Sequence, residues 1–223
     1  MTFSNQSPKK PLRSLFPPEI ITEESAITEI KDSLYPEEMY CISNADNKRK
    51  SEFTAGRICA RNALKKLGYT HYPLLMGVDR APQWPKDIAG SIAHTSEYCG
   101  VAVAQKKDYP SLGFDMELID RLGRHLWPQI LTSREQSWIQ TLPSDEQDDS
   151  ATLFFSAKEC FYKYQYPLTK LWVGFEDVEI EASLVEGEFN VHLLKDIPSL
   201  GKIKTTFPGH FLYHSNHVFT VIF

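Results

Sequence analysis

The sequence predicts an α+β fold made of two similar α+β lobes. Each half carries an amphipathic helical pattern and apolar segments of strand length. A short internal echo supports a duplication, because residues 93–96 (AHTS) and residues 213–216 (YHSN) both precede an apolar strand-like run. We therefore expect an N-terminal lobe of residues 1–109 and a C-terminal lobe of residues 110–223, with any active site in the cleft between them.

Composition and charge are typical of a soluble globular protein. Apolar residues make up 42% and charged residues 24% of the 223 residues, which indicates a packed core. The net charge of −5 argues against a general nucleic-acid binder, although a local basic patch could serve a phosphorylated small ligand. The four cysteines form no CxxC pair and are predicted to be buried thiols. No secretory signal or transmembrane run is visible, so we expect a cytoplasmic protein without a membrane span.

The N-terminal half is predicted to contain an arm, a helix, a rigid loop and a strand. The first 20 residues are polar and rich in proline, which favours an extended surface arm over an element of the core. Residues 47–53 are charged and predicted to face solvent. The apolar spacing of residues 55–67 predicts a helix, which the following glycine is placed to end. Two prolines around a tryptophan make residues 80–85 a rigid extended loop, and residues 98–105 form an apolar strand.

The C-terminal half begins with a very regular strand pattern. In residues 112–119 apolar side chains alternate with a glycine and two carboxylates, which predicts one apolar and one polar face. Residues 122–140 are predicted to be helical pieces interrupted by a proline, followed by an acidic loop at residues 144–149. A helix then includes residues 154–163. The remaining chain is predicted to be mainly β, with strands at residues 178–184, 189–194 and 217–223.

Two carboxylates on the first of these strands have the spacing of a divalent-cation site. Asp115 and Glu117 are two residues apart, so both point to the same side, and Gly113 leaves space beside them. Hard oxygen ligands suit Mg²⁺, which commonly shares its other positions with a substrate's phosphates. The alternative is that these carboxylates are only the solvent-facing side of an amphipathic strand.

The helix at residues 154–163 offers a second set of charged groups. On a period of 3.6 residues, Phe155, Glu159 and Lys163 lie above one another beside an apolar stripe. If this helix packs against the strand, Glu159 supplies a third oxygen ligand. The alternative is an ordinary surface pair of Glu159 and Lys163, which contributes about a few tenths of a kcal/mol.

These two segments resemble the motifs of the 4′-phosphopantetheinyl transferases. Residues 112–117 (LGFDME) are similar to (I/V)-G-(I/V)-D-x-E, and residues 155–163 (FSAKECFYK) are similar to (F/W)-(S/C/T)-x-K-E-(A/S)-x-x-K. The resemblance covers about residues 49–167. Upstream it includes residues 55–57 (AGR), 80–85 (RAPQWP) and 90–94 (GSIAH), and this upstream set resembles the subgroup that serves siderophore and other nonribosomal peptide synthetases.

The resemblance implies a two-lobed enzyme with pseudo-two-fold symmetry. Such enzymes transfer the phosphopantetheine arm of coenzyme A to a serine hydroxyl of an apo carrier protein and release adenosine 3′,5′-bisphosphate. The implied cofactor is Mg²⁺, and coenzyme A is the substrate. The implied partners are acyl or peptidyl carrier proteins, here peptidyl or aryl carrier domains of nonribosomal peptide or siderophore synthesis. We expect a monomer, because a chain that builds its site between its own halves needs no second subunit.

The resemblance also implies roles for individual residues. Asp115, Glu117 and Glu159 would hold Mg²⁺, and Glu159, directly or through a metal-bound water, would take the serine proton. Lys163 would steady the phosphate oxygens, with Lys158 as a further catalytic lysine. The residues implied in binding the 3′-phosphate of coenzyme A are Arg57, Arg80 and His94, with Arg49, Arg61 and Ser91 beside them.

Three positions depart from the family pattern. Phe114 stands where Ile or Val is usual, Ala93 where Ser or Thr is usual, and Cys160 where Ala or Ser is usual. None of them is an implied metal ligand. Two other functions stay open: a carrier-binding module without activity, and a Mg²⁺-dependent phosphodiesterase that acts on a substrate like coenzyme A. The sequence contains no P-loop, dinucleotide-binding, zinc-protease or α/β-hydrolase motif.

Overall fold

A computed structural model describes residues 10–29, 33–119, 121–197, 200 and 205–223 of the chain. The chain divides into two compact units, one containing Leu12–Leu112 and the other containing Gly113–Phe223. Each unit combines helices with an antiparallel sheet, so the predicted α+β class is confirmed. The lobe boundary at residue 109 and the cleft between the lobes stay predictions. Across these described ranges, no helix is long and apolar enough to cross a membrane.

The N-terminal unit carries one long helix on an antiparallel sheet. Its described strands are β1 (Ile21–Ala26), β2 (Ile88–His94) and β3 (Tyr98–Gln105), arranged in the order β1-β3-β2. Its described helices are α1 (Pro11–Ser14), α2 (Pro36–Met39) and α3 (Asn47–Lys66). Helix α3 packs on all three strands, and Gly56 allows close approach because a Cβ there would lie only 3.2 Å from Ile92 Cγ2. The small and apolar side chains of α3 therefore form a core with the sheet.

Two expectations for this unit are wrong. The first 20 residues are not a surface arm in their described part, because three apolar side chains there are buried: Leu12, Phe16 and Ile20. Helix α3 begins at Asn47 rather than at residue 55. The Asp46 carboxylate accepts a hydrogen bond from Arg49 N (2.8 Å) and so caps a first turn that has no apolar periodicity. The predicted strand at residues 98–105 is confirmed, whereas β1 and β2 were not predicted.

The C-terminal unit is built on a larger antiparallel sheet. Its described strands are β4 (Gly113–Leu118), β5 (Val178–Ser183), β6 (Glu188–Leu193), β7 (Thr206–His214) and β8 (His217–Ile222). Their order is β4-β8-β7-β6-β5. Its described helices are α4 (Trp127–Ile130), α5 (Ser133–Gln140) and α6 (Ser144–Thr169). Four of these strands lie where they were predicted, and β7 was missed.

Helix α6 is longer than the sequence pattern indicated. The expected acidic loop at residues 144–149 is wrong, because these residues form the first turns of α6. Acidic side chains such as Asp145 and Glu146 are favourable there, since the N-terminus of a helix carries partial positive charge. The helix ends at Thr169, and the next residue, Lys170, has a left-handed backbone (φ 57°). Along its length α6 packs against β4 and β8.

Candidate active site

Helix α6 comes very close to strand β4 at a glycine. A Cβ atom at Gly113 would lie 2.9 Å from Tyr164 Cβ and closer still to the carbonyl oxygen of Cys160. The expectation of open space beside Gly113 is therefore wrong, because the helix backbone occupies it. The close contact has a different consequence for the site. It allows side chains of α6 to reach the carboxylate of Asp115 on β4.

Asp115 is buried at the contact between β4 and α6. Lys163 Nζ donates a hydrogen bond to its Oδ1 (2.7 Å), and Ser156 Oγ donates one to its Oδ2 (2.9 Å). Ser156 Oγ also lies 2.9 Å from Thr220 Oγ1 on β8. The burial of Asp115 rules out a purely solvent-facing carboxylate at this position. Neither Ser156 nor Thr220 was identified from the sequence as a site residue. Ser156 could have been found, because it occupies the (S/C/T) position of the second motif.

Glu117 and Glu159 complete a group of carboxylates around Asp115. Burial, together with the charge of Asp115, raises the pKa of Glu117 to about 8. Burial and Asp115 also raise the pKa of Glu159. Burial by itself favours the neutral amine of Lys163, but contact with Asp115 outweighs this and raises the pKa of Lys163. Lys163 thus joins helix to strand instead of serving only as a surface partner of Glu159, and the group is short of positive charge.

The donor chemistry of this group fits Mg²⁺. Its carboxylates supply hard oxygen donors, and burial, followed by the negative charge of Asp115, raises the pKa of Glu117 and of Glu159. As the side chains stand, no three His, Cys, Asp or Glu groups in the described part of the chain are close enough together to hold a metal ion. Both oxygens of Asp115 already accept hydrogen bonds. Binding of one cation by all three carboxylates therefore requires their side chains to come closer together than they stand, while the oxygens of Asp115 keep lone pairs for a cation beside these hydrogen bonds.

Lys158 lies outside this group, although it is the sequence neighbour of Glu159. Its Nζ donates to Ile130 O (2.9 Å) and Phe175 O (2.7 Å) and pairs with Glu135 Oε2 (2.8 Å), which uses all three of its N–H groups. Burial lowers the pKa of Lys158 and raises the pKa of Glu135, against the attraction within the pair. These contacts join α6 to neighbouring elements of its unit. They give no support to the predicted catalytic role of Lys158, which stays a prediction.

A pocket of about 350 Å³ opens beside Glu159. The aromatic rings of Tyr162, Trp172 and Phe175 are part of its lining. Trp172 is 77% exposed, and its ring meets the Tyr162 ring edge-on with centroids 5.3 Å apart. The lining also includes three charged residues, and a mainly apolar pocket with a few charged groups in its wall is typical of a small-molecule site. The sequence did not reveal this pocket, because Trp172 lies beyond the motif helix in a segment without periodicity.

Two of the residues predicted to bind phosphate lie together in the N-terminal unit. Arg49 on α3 and His94 at the end of β2 approach to 3.1 Å between NH1 and Nε2. Their side chains are 49% and 28% exposed, so solvent reaches both. A glutamate that was not identified from the sequence, Glu52, lies beside them, 3.8 Å from Arg49 NH1 and 3.7 Å from His94 Nδ1. A guanidinium next to an imidazole is a suitable pair of donors for a phosphate.

Arg57 lies deeper in the same unit. Its Nε donates to Leu74 O (2.6 Å), and its guanidinium lies 3.9 Å from the centre of the Phe53 ring. Burial, the largest influence, lowers the pKa of Arg57 to about 10. The cation is therefore poorly solvated, and an anionic ligand that reached it would be held strongly.

The remaining predicted phosphate-binding residues are dispersed. Arg80 is exposed in a turn, where its backbone has a positive φ of 63°. Ser91 is buried on β2 and lies three residues before His94, so the two side chains point to opposite faces of the sheet. Arg61 pairs with the buried Glu38 carboxylate (3.2 Å). The structure thus brings Arg49 and His94 together and leaves the roles of the others as predictions.

Comparison with known proteins identifies the family of the chain. Residues 37–104 match the 4′-phosphopantetheinyl transferase N-terminal domain, and residues 111–218 match the 4′-phosphopantetheinyl transferase superfamily. The chain is 36% identical over 195 residues to 4′-phosphopantetheinyl transferase Svp of Streptomyces mobaraensis, covering 85% of this chain and 79% of the relative. It is 35% identical over 193 residues to 4′-phosphopantetheinyl transferase PptT of Mycobacterium tuberculosis, covering 84% of each.

A third relative comes from a differently named group. Enterobactin synthase component D of Salmonella typhimurium is 34% identical over 157 residues, which covers 69% of this chain and 63% of the relative. The matches include both units and both of the motifs that carry the carboxylates. On these similarities, the chain belongs to the 4′-phosphopantetheinyl transferase superfamily.

Proposed function

We propose that this protein transfers the 4′-phosphopantetheine arm of coenzyme A to a serine hydroxyl of an apo carrier protein and releases adenosine 3′,5′-bisphosphate. The observation that carries the proposal is the ion pair of Lys163 with the buried Asp115, together with the electrostatic influence of both on Glu117 and Glu159. Phosphoryl transfer from a diphosphate depends on positioning and on neutralising the charge of the transferred group. Carboxylates that can bind a cation, next to the ammonium of Lys163, supply both the positioning and the neutralisation of charge.

The proposed ligands of Mg²⁺ are Asp115, Glu117 and Glu159. When bound, the ion would neutralise negative charge on the diphosphate and on its leaving oxygen. Glu159 is also the proposed general base, because burial and the charge of Asp115 raise its pKa, which favours acceptance of a proton by the carboxylate. It would take the proton of the carrier serine as the hydroxyl oxygen bonds to the phosphorus nearer the pantetheine. The bond from that phosphorus to adenosine 3′,5′-bisphosphate then breaks. Lys163 would donate N–H groups to the oxygens of the transferred phosphoryl group.

The parts of coenzyme A are assigned to separate groups of residues. The diphosphate is assigned to the carboxylate group, and the 3′-phosphate is assigned to Arg49 and His94. The pocket beside Glu159 is proposed for the pantetheine arm, because the arm extends from the phosphorus that the serine attacks. Rings such as Trp172 suit its methyl, methylene and amide groups.

The proposed carriers are peptidyl or aryl carrier domains of nonribosomal peptide or siderophore synthesis. This choice rests on the motif subgroup and on the relative that is named as a component of enterobactin synthase. The protein is proposed to act as a monomer, with Mg²⁺ as its metal. Size-exclusion chromatography with light scattering tests the monomer, and transfer rates across a panel of peptidyl, aryl and acyl carriers test the carrier class.

Intact-mass spectrometry of an apo carrier incubated with the protein, coenzyme A and Mg²⁺ tests the reaction itself. Transfer adds one phosphopantetheine arm to the carrier and yields an equal amount of adenosine 3′,5′-bisphosphate. A chelator should abolish the gain in mass, and so should Asp115→Ala, with circular dichroism to verify its fold. Free pantetheine phosphate without any gain in mass would indicate a phosphodiesterase. Carrier binding without either product would indicate an inactive binding module.

A further inference from the structure

Glu52 lies at the centre of the group that contains Arg49 and His94. Its carboxylate is 3.8 Å from Arg49 NH1, 3.7 Å from His94 Nδ1 and 3.9 Å from Lys48 Nζ. The Glu52 side chain is 12% exposed, whereas those of Lys48 and Arg49 are 73% and 49% exposed. The carboxylate therefore lies beneath the cationic groups, which face the solvent from which a ligand arrives.

The two ring nitrogens of His94 face different partners. Nε2 lies 3.1 Å from Arg49 NH1, and Nδ1 faces the Glu52 carboxylate. A guanidinium can only donate hydrogen bonds, so Nε2 accepts the one from Arg49. The hydrogen of the neutral ring is then on Nδ1, which is the tautomer that these partners require. The Glu52 carboxylate is too far from both side chains for a hydrogen bond but lies within ion-pair distance of Arg49 and of the protonated His94 ring, so one negative charge acts on both.

We propose that Glu52 is a positioning residue that keeps Arg49 and His94 ready to bind the 3′-phosphate of coenzyme A, a role that rests on the proposed transferase function. A phosphate monoester would draw the Arg49 N–H away from His94 and accept a second hydrogen bond from Nε2 of the protonated ring. Two cations so close together repel each other. The Glu52 carboxylate offsets this repulsion and holds the ring from its other nitrogen. Glu52 itself does not touch the phosphate.

Glu52 also carries a negative charge, which by itself would repel a phosphate. Two observations favour the positioning effect over this repulsion. The ammonium of Lys48 and the guanidinium of Arg49 lie within 4 Å of the carboxylate and compensate its charge. A long side chain such as Arg49 also loses much conformational freedom when a ligand must fix it, and Glu52 fixes it beforehand. We therefore expect weaker binding of coenzyme A when Glu52 loses its charge.

Binding calorimetry with coenzyme A and with 3′-dephospho-coenzyme A tests this role in the full chain. Glu52→Gln should weaken the binding of coenzyme A roughly tenfold, as when a group that orients a ligand-binding histidine is removed. It should leave the affinity for the dephospho compound almost unchanged. Glu23→Gln is the matched control, because Glu23 is a glutamate of similar exposure (16%) that pairs with Lys66 in the same unit. It should change neither affinity.

Kinetics and a second variant separate positioning from a general structural effect. With Glu52→Gln the KM for coenzyme A should rise while kcat stays the same, because the lost interaction is made equally in the ground state and the transition state. Glu52→Asp keeps the charge and should lose less affinity than Glu52→Gln. Thermal melting verifies that the variants are folded.

The outcomes that overturn the role of Glu52 are distinct from those that overturn the proposed function. Unchanged or tighter binding of coenzyme A by Glu52→Gln overturns the role of Glu52, and so does an equal loss of affinity for both compounds. A wild-type protein without any preference for coenzyme A over the dephospho compound also overturns it. If the wild-type protein shows that preference but modifies no carrier, the transferase function fails and the role of Glu52 in phosphate binding stands.

Discussion

Replacing Gly113 by alanine tests whether the close contact of α6 with β4 builds the active site. The added Cβ would lie 2.9 Å from Tyr164 Cβ and closer to the carbonyl oxygen of Cys160, whereas carbon atoms in contact are about 3.5–4.0 Å apart. A backbone carbonyl cannot rotate away, so the helix must retreat by on the order of 1 Å. Overpacking of this kind costs about 1–3 kcal/mol. In a chain of this size each kcal/mol lowers Tm by about 2–4 °C.

The larger effect of Gly113→Ala should be on catalysis. Retreat of α6 moves Glu159 and Lys163 away from Asp115, and a misplacement of about 1 Å can lower an enzymatic rate about 100-fold. We therefore expect arm transfer by Gly113→Ala to be roughly 100-fold slower than wild type at a temperature where the variant is folded. Single-turnover transfer to an apo carrier, followed by intact-mass spectrometry, measures this rate.

Gly209→Ala is the matched control for this experiment. Gly209 lies on β7 of the same sheet, and a Cβ there would come within 2.7 Å of the Phe189 ring instead of meeting α6. The control should lower Tm by a similar amount while its folded fraction keeps a transfer rate near that of wild type. If Gly113→Ala transfers at the wild-type rate, or if Gly209→Ala loses as much activity, the helix–strand contact does not organise the site.

Three other features of the C-terminal unit lead to direct measurements. Lys158→Met should lower the free energy of unfolding in urea by about 3–5 kcal/mol, because it leaves the Glu135 carboxylate buried and unpaired, and adding Glu135→Gln should recover part of this loss. Trp172→Ala should change stability by less than about 0.5 kcal/mol, since the ring is exposed, but should raise KM for coenzyme A. Burial and Asp115 raise the pKa of Glu117 to about 8. Between pH 4.5 and about pH 8 the folded metal-free protein therefore binds more protons than the unfolded chain. Its free energy of unfolding should fall as the pH rises through this window. Mg²⁺ should then raise Tm more at about pH 8.5 than at about pH 6. A loss below about 1 kcal/mol for Lys158→Met, an unchanged KM for Trp172→Ala, or equal Mg²⁺ shifts at both pH values would contradict these expectations.

The strands and the motif helix of the C-terminal unit could be predicted because their patterns are local. Apolar alternation identified β4, and the 3.6-residue spacing identified the middle of α6. The beginning of α6 could not be predicted in the same way, because residues 144–149 are acidic and carry no apolar stripe. Their helical state depends on favourable charge at the helix N-terminus and on the packing of the turns that follow.

In the candidate site, the motif spacing identified residue types but not their contacts. Nothing local in the sequence places Ser156 against Asp115, which is 41 residues away. The contacts of the two lysines of the motif could not be predicted from the sequence either. Lys158 and Lys163 are five residues apart on one helix and so point to different sides of it, and only tertiary packing decides which side meets β4. The structure gives the Asp115 contact to Lys163 and buries Lys158 against Glu135.

The carboxylates of β4 and α6 are proposed to act as one unit in arm transfer. The single-turnover rates of three variants test this proposal: Asp115→Asn, Glu159→Gln and the double variant. Circular dichroism and thermal melting verify that each is folded. Groups that serve one step show strongly non-additive losses. The double variant should therefore transfer the arm about as fast as the slower single variant. Losses that multiply in the double variant, or a single variant that transfers at the wild-type rate, would contradict a shared site.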